Sequence, residues 1–153
     1  MQSKETFLKK EFLVLIKTID RNRKPIFGKM NVHQMIEHMS HAFQIASGKL
    51  VFENKQRNEL TAKMYQFMMS DKPFRDNTPN PNLADTPLPP RFMDVEDSLN
   101  DLKFEMDAFF IVYEQPELRV TNPFFGNLNK EEQVHLLHKH ALHHLRQFGV
   151  LPE

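Results

Sequence analysis

The sequence predicts an all-α fold, a four-helix bundle, and three observations carry that prediction. Apolar residues recur at helical spacing in four long segments. Those segments are rich in Leu, Met, Phe, Lys, Glu and Gln, with only 4 Gly in the whole chain of 153 residues, a mixture that favours helices over strands. Asn31, Asp94 and Asn129 stand at the head of three segments, where a short polar side chain can cap the first free amides.

Residues 4–20 read as the first helix, with Leu8, Phe12, Leu15, Ile16 and Ile19 at the required spacing. A polar connection with Pro25 and Gly28 follows. The second helix, 31–47, carries Val32, Met35, Met39, Ala42, Phe43 and Ala46 on one face and stops at Gly48. A weaker helix is expected over 53–69, around Leu60, Met64, Phe67 and Met68. Residues 71–90 hold six of the ten prolines and form a long loop rather than a domain linker, because neither half alone offers a core. Asp94 caps a helix that places Val95, Leu99, Leu102, Met106, Phe109 and Tyr113 on one stripe. A loop over 114–128 contains Asn122-Pro-Phe-Phe-Gly126. The last helix runs from Asn129 to about Phe148, with Glu132 completing a capping box. Such segments assemble as an antiparallel or crossover bundle, a single domain over 1–153. Its core is expected to include Leu15, Met39, Leu102, Phe109, Leu137 and Phe148.

Charge is balanced, 20 basic against 20 acidic residues, so no basic stripe points to nucleic acid. Cysteine is absent, which removes disulfides, a Cys nucleophile and Cys metal ligands together. The first residues lack an apolar signal region, and no stretch approaches the ~20 apolar residues of a membrane span. A soluble, cytoplasmic protein is the expectation, with a small molecule as partner, no nucleic acid and no membrane; a homodimer is compatible with the sequence.

Five of the eight histidines fall between 135 and 144. At about 100° per residue, His140 and His144 project inward together, one turn apart, beside Leu137, Ala141 and Phe148. His143 turns toward Lys139 and Arg146 on the wet side, His135 points away from His144, and His138 lies at the margin. On the second helix His38 borders the apolar face next to Met35 and Ala42, His41 lies further out, and His33 sits on the far side. Inward imidazoles beside an apolar stripe need partners, and a His-x-x-x-His pair on one helix face can chelate a metal. His38 is the best third ligand. Glu132-x-x-His135 is only half of a di-iron motif and has no second copy. Asp94, Glu96, Asp97 and Asp101 read as complements to a helix N-terminus.

Two stretches resemble a known family. Asn31-Val-His-Gln-Met-Ile-Glu-His38 is similar to the Q-L/M-x-x-H helix of the DinB/YfiT-like superfamily, and His140-Ala-Leu-His-His144-Leu-Arg-Gln to its H-x-x-x-H-R-G-Q ending. Asn122-Pro-Phe-Phe-Gly126 with His140 to Gly149 resembles a narrower DinB-related branch that ends in H-x-x-H-H-x-x-Q-F-G. The resemblance implies a four-helix bundle with a crossover connection. It also implies a three-histidine site for zinc, nickel or a similar divalent ion, carried over as His38, His140 and His144. Leu145-Arg146 replaces the usual Arg-Gly, and Asn122 stands where the branch often has His. Some members are thiol-dependent transferases or isomerases.

Three functions are therefore expected as alternatives. The first is a metal-dependent enzyme, either a thiol S-transferase that borrows an external low-molecular-weight thiol or a hydrolase, with His41 and Glu37 as candidate proton carriers near the mouth. The second is a non-catalytic metal- or ligand-binding bundle. The third is a polar core in which the three histidines hydrogen-bond without an ion.

Overall fold

Side-chain caps set where most of the helices begin. In the computed structural model, which describes residues 2–53, 58–76 and 87–151, six helices and one two-stranded sheet are present among the described residues. They are α1 (Lys4–Lys10), α2 (Phe12–Lys17), α3 (Val32–Ser47), α4 (Glu59–Met69), α5 (Val95–Val112) and α6 (Lys130–Gln147), with strands β1 (Val120–Asn122) and β2 (Gly126–Leu128) ahead of α6. Asn31, Asn58 and Asn129 each close a capping box at the start of α3, α4 and α6, their side chains accepting from the amides of Gln34, Thr61 and Glu132. Gly48 ends α3 with φ 82°, a left-handed conformation that a Cβ would oppose.

The first predicted helix is divided at Glu11, where φ opens to −117° while backbone hydrogen bonds continue on both sides. It ends at Lys17 because Thr18 turns its hydroxyl and amide back onto the Leu15 carbonyl. The weaker helix starts at Glu59 rather than 53, and residues 54–57 of that expectation lie outside the described ones. Leu60, expected on its apolar face, is exposed. Asp94 occupies the position before α5 but makes no capping bond. Of the 71–90 loop, 77–86 lies outside the described residues.

The 114–128 loop contains the β1–β2 hairpin, paired antiparallel from Val120↔Leu128 to Asn122↔Gly126. Asn122 builds its turn: Oδ1 accepts from the amides of Phe124 and Phe125 at 2.8 and 3.2 Å, and Gly126 takes φ 88°. Three-residue strands are too short to leave a period-2 signal, so the sequence reads as loop there.

Helices α3 and α5 form the most extensive contact and run parallel. Glu37 meets Ser98, Phe43 stacks edge-on with Phe109, and Ala46 O accepts from the Tyr113 hydroxyl at 2.7 Å, so residue numbers rise together. The chain between them must therefore return from the end of α3 to the start of α5. Helix α6 runs the other way past α3: Gln133, in its first turn, holds Val120, which lies against Gly48 at the end of α3. The core fills the space between these elements with Leu8, Phe12, Ile16, Met39, Phe43, Leu102, Met106, Phe109, Leu137, Ala141, Leu145 and Phe148. Five of the six expected core residues are buried; Leu15 is only partly so, and Ile16 takes the inward position at 1% exposure. The two are adjacent, about 100° apart, and Ile16 is the one that continues the buried stripe of Leu8, Phe12 and Ile19. Ile16→Ala should therefore cost about 2–4 kcal/mol in a urea unfolding titration, and Leu15→Ala less than half as much. Equal losses would contradict this packing.

Candidate metal centre

Helix α6 brings His140 and His144 to the surface of α3 at His38, and all three point the same nitrogen at one another. His38 Nε2 is 3.0 Å from His140 Nε2, and His144 Nε2 is 2.9 Å from His140 Nε2. The three rings sit nearly edge to face across the helix contact, with centroids 4.9 Å apart from His38 to each of the other two. The three residues therefore lie close enough together to hold a metal ion, as the helix faces predict.

The tautomer of His144 follows from its neighbours. Gln147 Nε2 donates to Phe27 O at 3.0 Å, which turns Gln147 Oε1 toward His144 Nδ1 at 2.8 Å. An amide oxygen only accepts, so Nδ1 carries the proton and Nε2 presents a lone pair to the cluster. No set of neutral tautomers then satisfies both short contacts with ordinary two-centre hydrogen bonds. If His140 Nε2 carries a proton it must share it between two acceptors; if it does not, two lone pairs face each other at 2.9 Å. A cation among the three accepts all of the lone pairs at once. Donors around a tetrahedral zinc stand about 3.3 Å apart at Zn–N distances near 2.0–2.1 Å, so a few tenths of an ångström of expansion brings the two contacts to His140 to that spacing.

Electrostatics keep the rings neutral. Burial, with His41 and His143 adding positive repulsion, pushes His38 down to about 4. Burial likewise holds His140 and His144 well below the ordinary histidine range, with repulsion among the clustered rings adding to it and the Gln147 bond opposing it at His144.

The other histidines are engaged elsewhere. His135 accepts from Lys4 Nζ at Nδ1 and donates to Ser70 O, which leaves neither nitrogen free to ligate. His138 stacks edge-on with Phe7. His33 lies near Ser98 and Glu37; because Ser98 gives its hydroxyl hydrogen to Glu37, His33 Nε2 is the donor to Ser98 Oγ. His41 is exposed. Expected on the wet side, His143 is instead half-buried between the rings of Phe27 and Phe74, and Lys139 is buried outright. The chain leaving α4 and the connection around Phe27 cover that flank, and periodicity within α6 carries no information about them.

Lys139, Glu37 and Gln147 are the residues around the site whose roles the sequence does not disclose. Lys139 Nζ donates to the carbonyls of Phe67, Met68 and Ser70, tying the end of α4 beside His140. Glu37, considered a proton carrier near the mouth, is buried and committed. It accepts from the amides of Arg91 and Phe92 and from Ser98, and these bonds outweigh its burial and hold its carboxyl below the usual range. Gln147 was visible only as part of the His-Leu-Arg-Gln ending.

The chain matches no protein-family model, no curated protein and no solved structure. No helix among the described residues is long and apolar enough to cross a membrane.

A pH dependence follows from the depressed histidines, above all the three of the cluster. Unfolded imidazoles titrate near 6.5, whereas His38 does so near 4 in the fold, so below about 6.5 the unfolded chain binds more protons than the folded one. The metal-free fold should keep its full stability above about pH 6.5 and lose it progressively as pH falls toward 4. Urea midpoints measured in chelator should show this, and His144→Leu should make the decline shallower. A decline of the same slope in that variant would count against the assignment.

Proposed function

We propose that this chain is a DinB/YfiT-like four-helix bundle with a crossover connection, and that it holds one divalent ion, zinc or nickel, on His38, His140 and His144 as a metal-dependent enzyme. The observation that carries this reading is that the Nε2 atoms of His38 and His144 both meet His140 Nε2, with the tautomer of His144 already set for ligation. The parallel course of α3 and α5 supports the crossover. Three protein ligands are the pattern of catalytic rather than structural zinc sites.

An ion held by His38, His140 and His144 would supply Lewis acidity, lowering the pKa of a thiol or water bound to it. The chain's own contribution is orientation and exclusion of water. Gln147 keeps His144 protonated on Nδ1, with its Nε2 turned inward. Phe74 lies against His140 and His143 and walls the site with an apolar ring. Glu37 fixes the return of the Pro-rich connection one residue from His38, and Lys139 fixes the end of α4 one residue from His140. The sequence holds no cysteine, so the thiol of an S-transferase must come from outside, a low-molecular-weight thiol. That makes a thiol S-transferase the favoured chemistry, with hydrolysis and a non-catalytic module as the alternatives that the test separates.

Protein purified without a tag should take up one zinc per chain by metal analysis. His140→Ala and His144→Ala should abolish uptake, and His143→Ala should retain it. Gln147→Leu should weaken affinity about 10- to 100-fold through loss of the Nδ1 partner. The depressed histidines move proton competition below the 6.5 of a free imidazole, so binding should hold through pH 6 and fail toward about 4. Titrating the cobalt-substituted protein with cysteine or glutathione should raise a sulfur-to-metal charge-transfer band that is absent in His144→Ala. A metal-loaded protein silent to thiols would replace the transferase with hydrolysis or ligand storage; uptake undiminished in His140→Ala would overturn the metal site itself.

A further inference from the structure

The connection between α2 and α3 is held to the end of α6 through a single residue. Gln147 accepts from the Ile26 amide at its main-chain oxygen, at 2.7 Å, and donates from Nε2 to the Phe27 carbonyl at 3.0 Å. Two neighbouring peptide groups of the connection therefore end on the same residue. Among the described residues, no other hydrogen bond reaches residues 24–30. Ile26 is 56% exposed, so little apolar burial supplements these bonds there. The Phe27 ring packs against His143 with centroids 5.1 Å apart, and His143 packs against His144 at the same spacing. The fit is close: a Cβ on Gly149 would collide with the Arg23 guanidinium and press on Ile26.

We infer that residues 23–27 form a strap whose docking on α6 sets the tautomer of His144, so that strap docking and ion binding at the histidine cluster are one coupled equilibrium. The inference rests on the metal site proposed above. Gln147 has one side-chain amide for two neighbours. With the strap docked, the Phe27 carbonyl takes an Nε2 hydrogen and leaves Oε1 to His144 Nδ1 at 2.8 Å. With the strap lifted, no other bond among the described residues fixes the far end of the amide, and a half-turn presents Nε2–H to the ring instead. An N–H donor there claims the Nδ1 lone pair, sends the ring proton to Nε2 and closes the nitrogen that faces His140. Ile26 and Phe27 are positioning residues that act through Gln147.

Two hydrogen bonds and one partly buried ring are a light attachment, of the kind that opens locally while the core stays folded. Coupling between sites is reciprocal, so docking favours the ion by the same factor by which the ion favours docking. The strap lies on the flank of α6 that carries His143, and it reports the state of the cluster at an exposed turn of the chain.

Hydrogen exchange of the Ile26 amide, followed by NMR of the full chain with and without saturating zinc, reads docking directly. Zinc should slow it at least ~10-fold. Gln147→Glu separates the two halves of the arrangement, because a carboxylate still accepts from His144 Nδ1 but gives nothing to the Phe27 carbonyl. That variant should bind zinc more tightly than Gln147→Leu, and its Ile26 amide should no longer respond to zinc. Phe27→Ala, which lies outside the core, should lower zinc affinity about 5-fold or more with an unchanged circular dichroism spectrum. Zinc bound by the wild-type chain with Ile26 exchange unchanged overturns the strap and leaves the metal site standing. A full zinc response in Gln147→Glu overturns the route through the Phe27 carbonyl. No zinc uptake at all overturns the metal site, and the coupling falls with it.

Discussion

Three neutral imidazoles that meet where α3 and α6 touch, His144 buried and His38 and His140 partly so, are the constraint around which the rest of this molecule is arranged. Placing one polar ring in a core costs free energy unless it is bonded, and placing three whose neutral tautomers cannot satisfy both short contacts costs more. The surroundings do not relieve that cost by giving each ring its own donor. They do the reverse at His144, where the Gln147 carbonyl claims the only proton and leaves the inward nitrogen bare. That bond satisfies Gln147 and His144 Nδ1 and leaves the Nε2 lone pair to the cluster.

The supporting elements divide the work of holding this arrangement. Gln147 reaches across to the Phe27 carbonyl and so ties the connection before α3 to the end of α6. Glu37 gathers Arg91, Phe92 and Ser98 and secures the start of α5 to α3 beside His38. Lys139 does the same for α4 beside His140. Each of these three buried polar residues is next to one of the clustered histidines in the sequence or within three residues of one, so positional error at the cluster is limited by bonds to three different parts of the chain. The parallel α3–α5 pair then forms a rigid floor, with Phe43, Phe109 and Tyr113 packed along it.

Much of this was legible in the sequence, for an identifiable reason. Periodicity places residues on faces, and the faces of α3 and α6 single out His38, His140 and His144 without reference to any other element. The same reasoning fails wherever a second segment supplies the covering. His143 and Lys139 look solvated on the helical wheel and become half-buried or buried because α4 and the chain after it close over them. Leu15 and Ile16 are both apolar and adjacent, and the packing of neighbouring elements decides between them. Asn122, which differs from the residue expected by resemblance, finds its role in local turn chemistry: its side chain bonds two amides of the hairpin turn. The second partner of a long-range bond, such as Phe27 for Gln147 or Arg91 for Glu37, leaves no local pattern at all.

The central claim is that three Nε2 lone pairs face a common cation position while His144 keeps its proton on Nδ1. Long-range proton–nitrogen NMR of the histidine rings, recorded before and after one equivalent of zinc, tests it most directly. The account predicts that the Nε2 signals of His38, His140 and His144 move on addition of zinc and that His144 is an Nδ1–H tautomer in both spectra. A zinc response at His135, His138 or His143 in their place, or a His144 that carries its proton on Nε2, would contradict it.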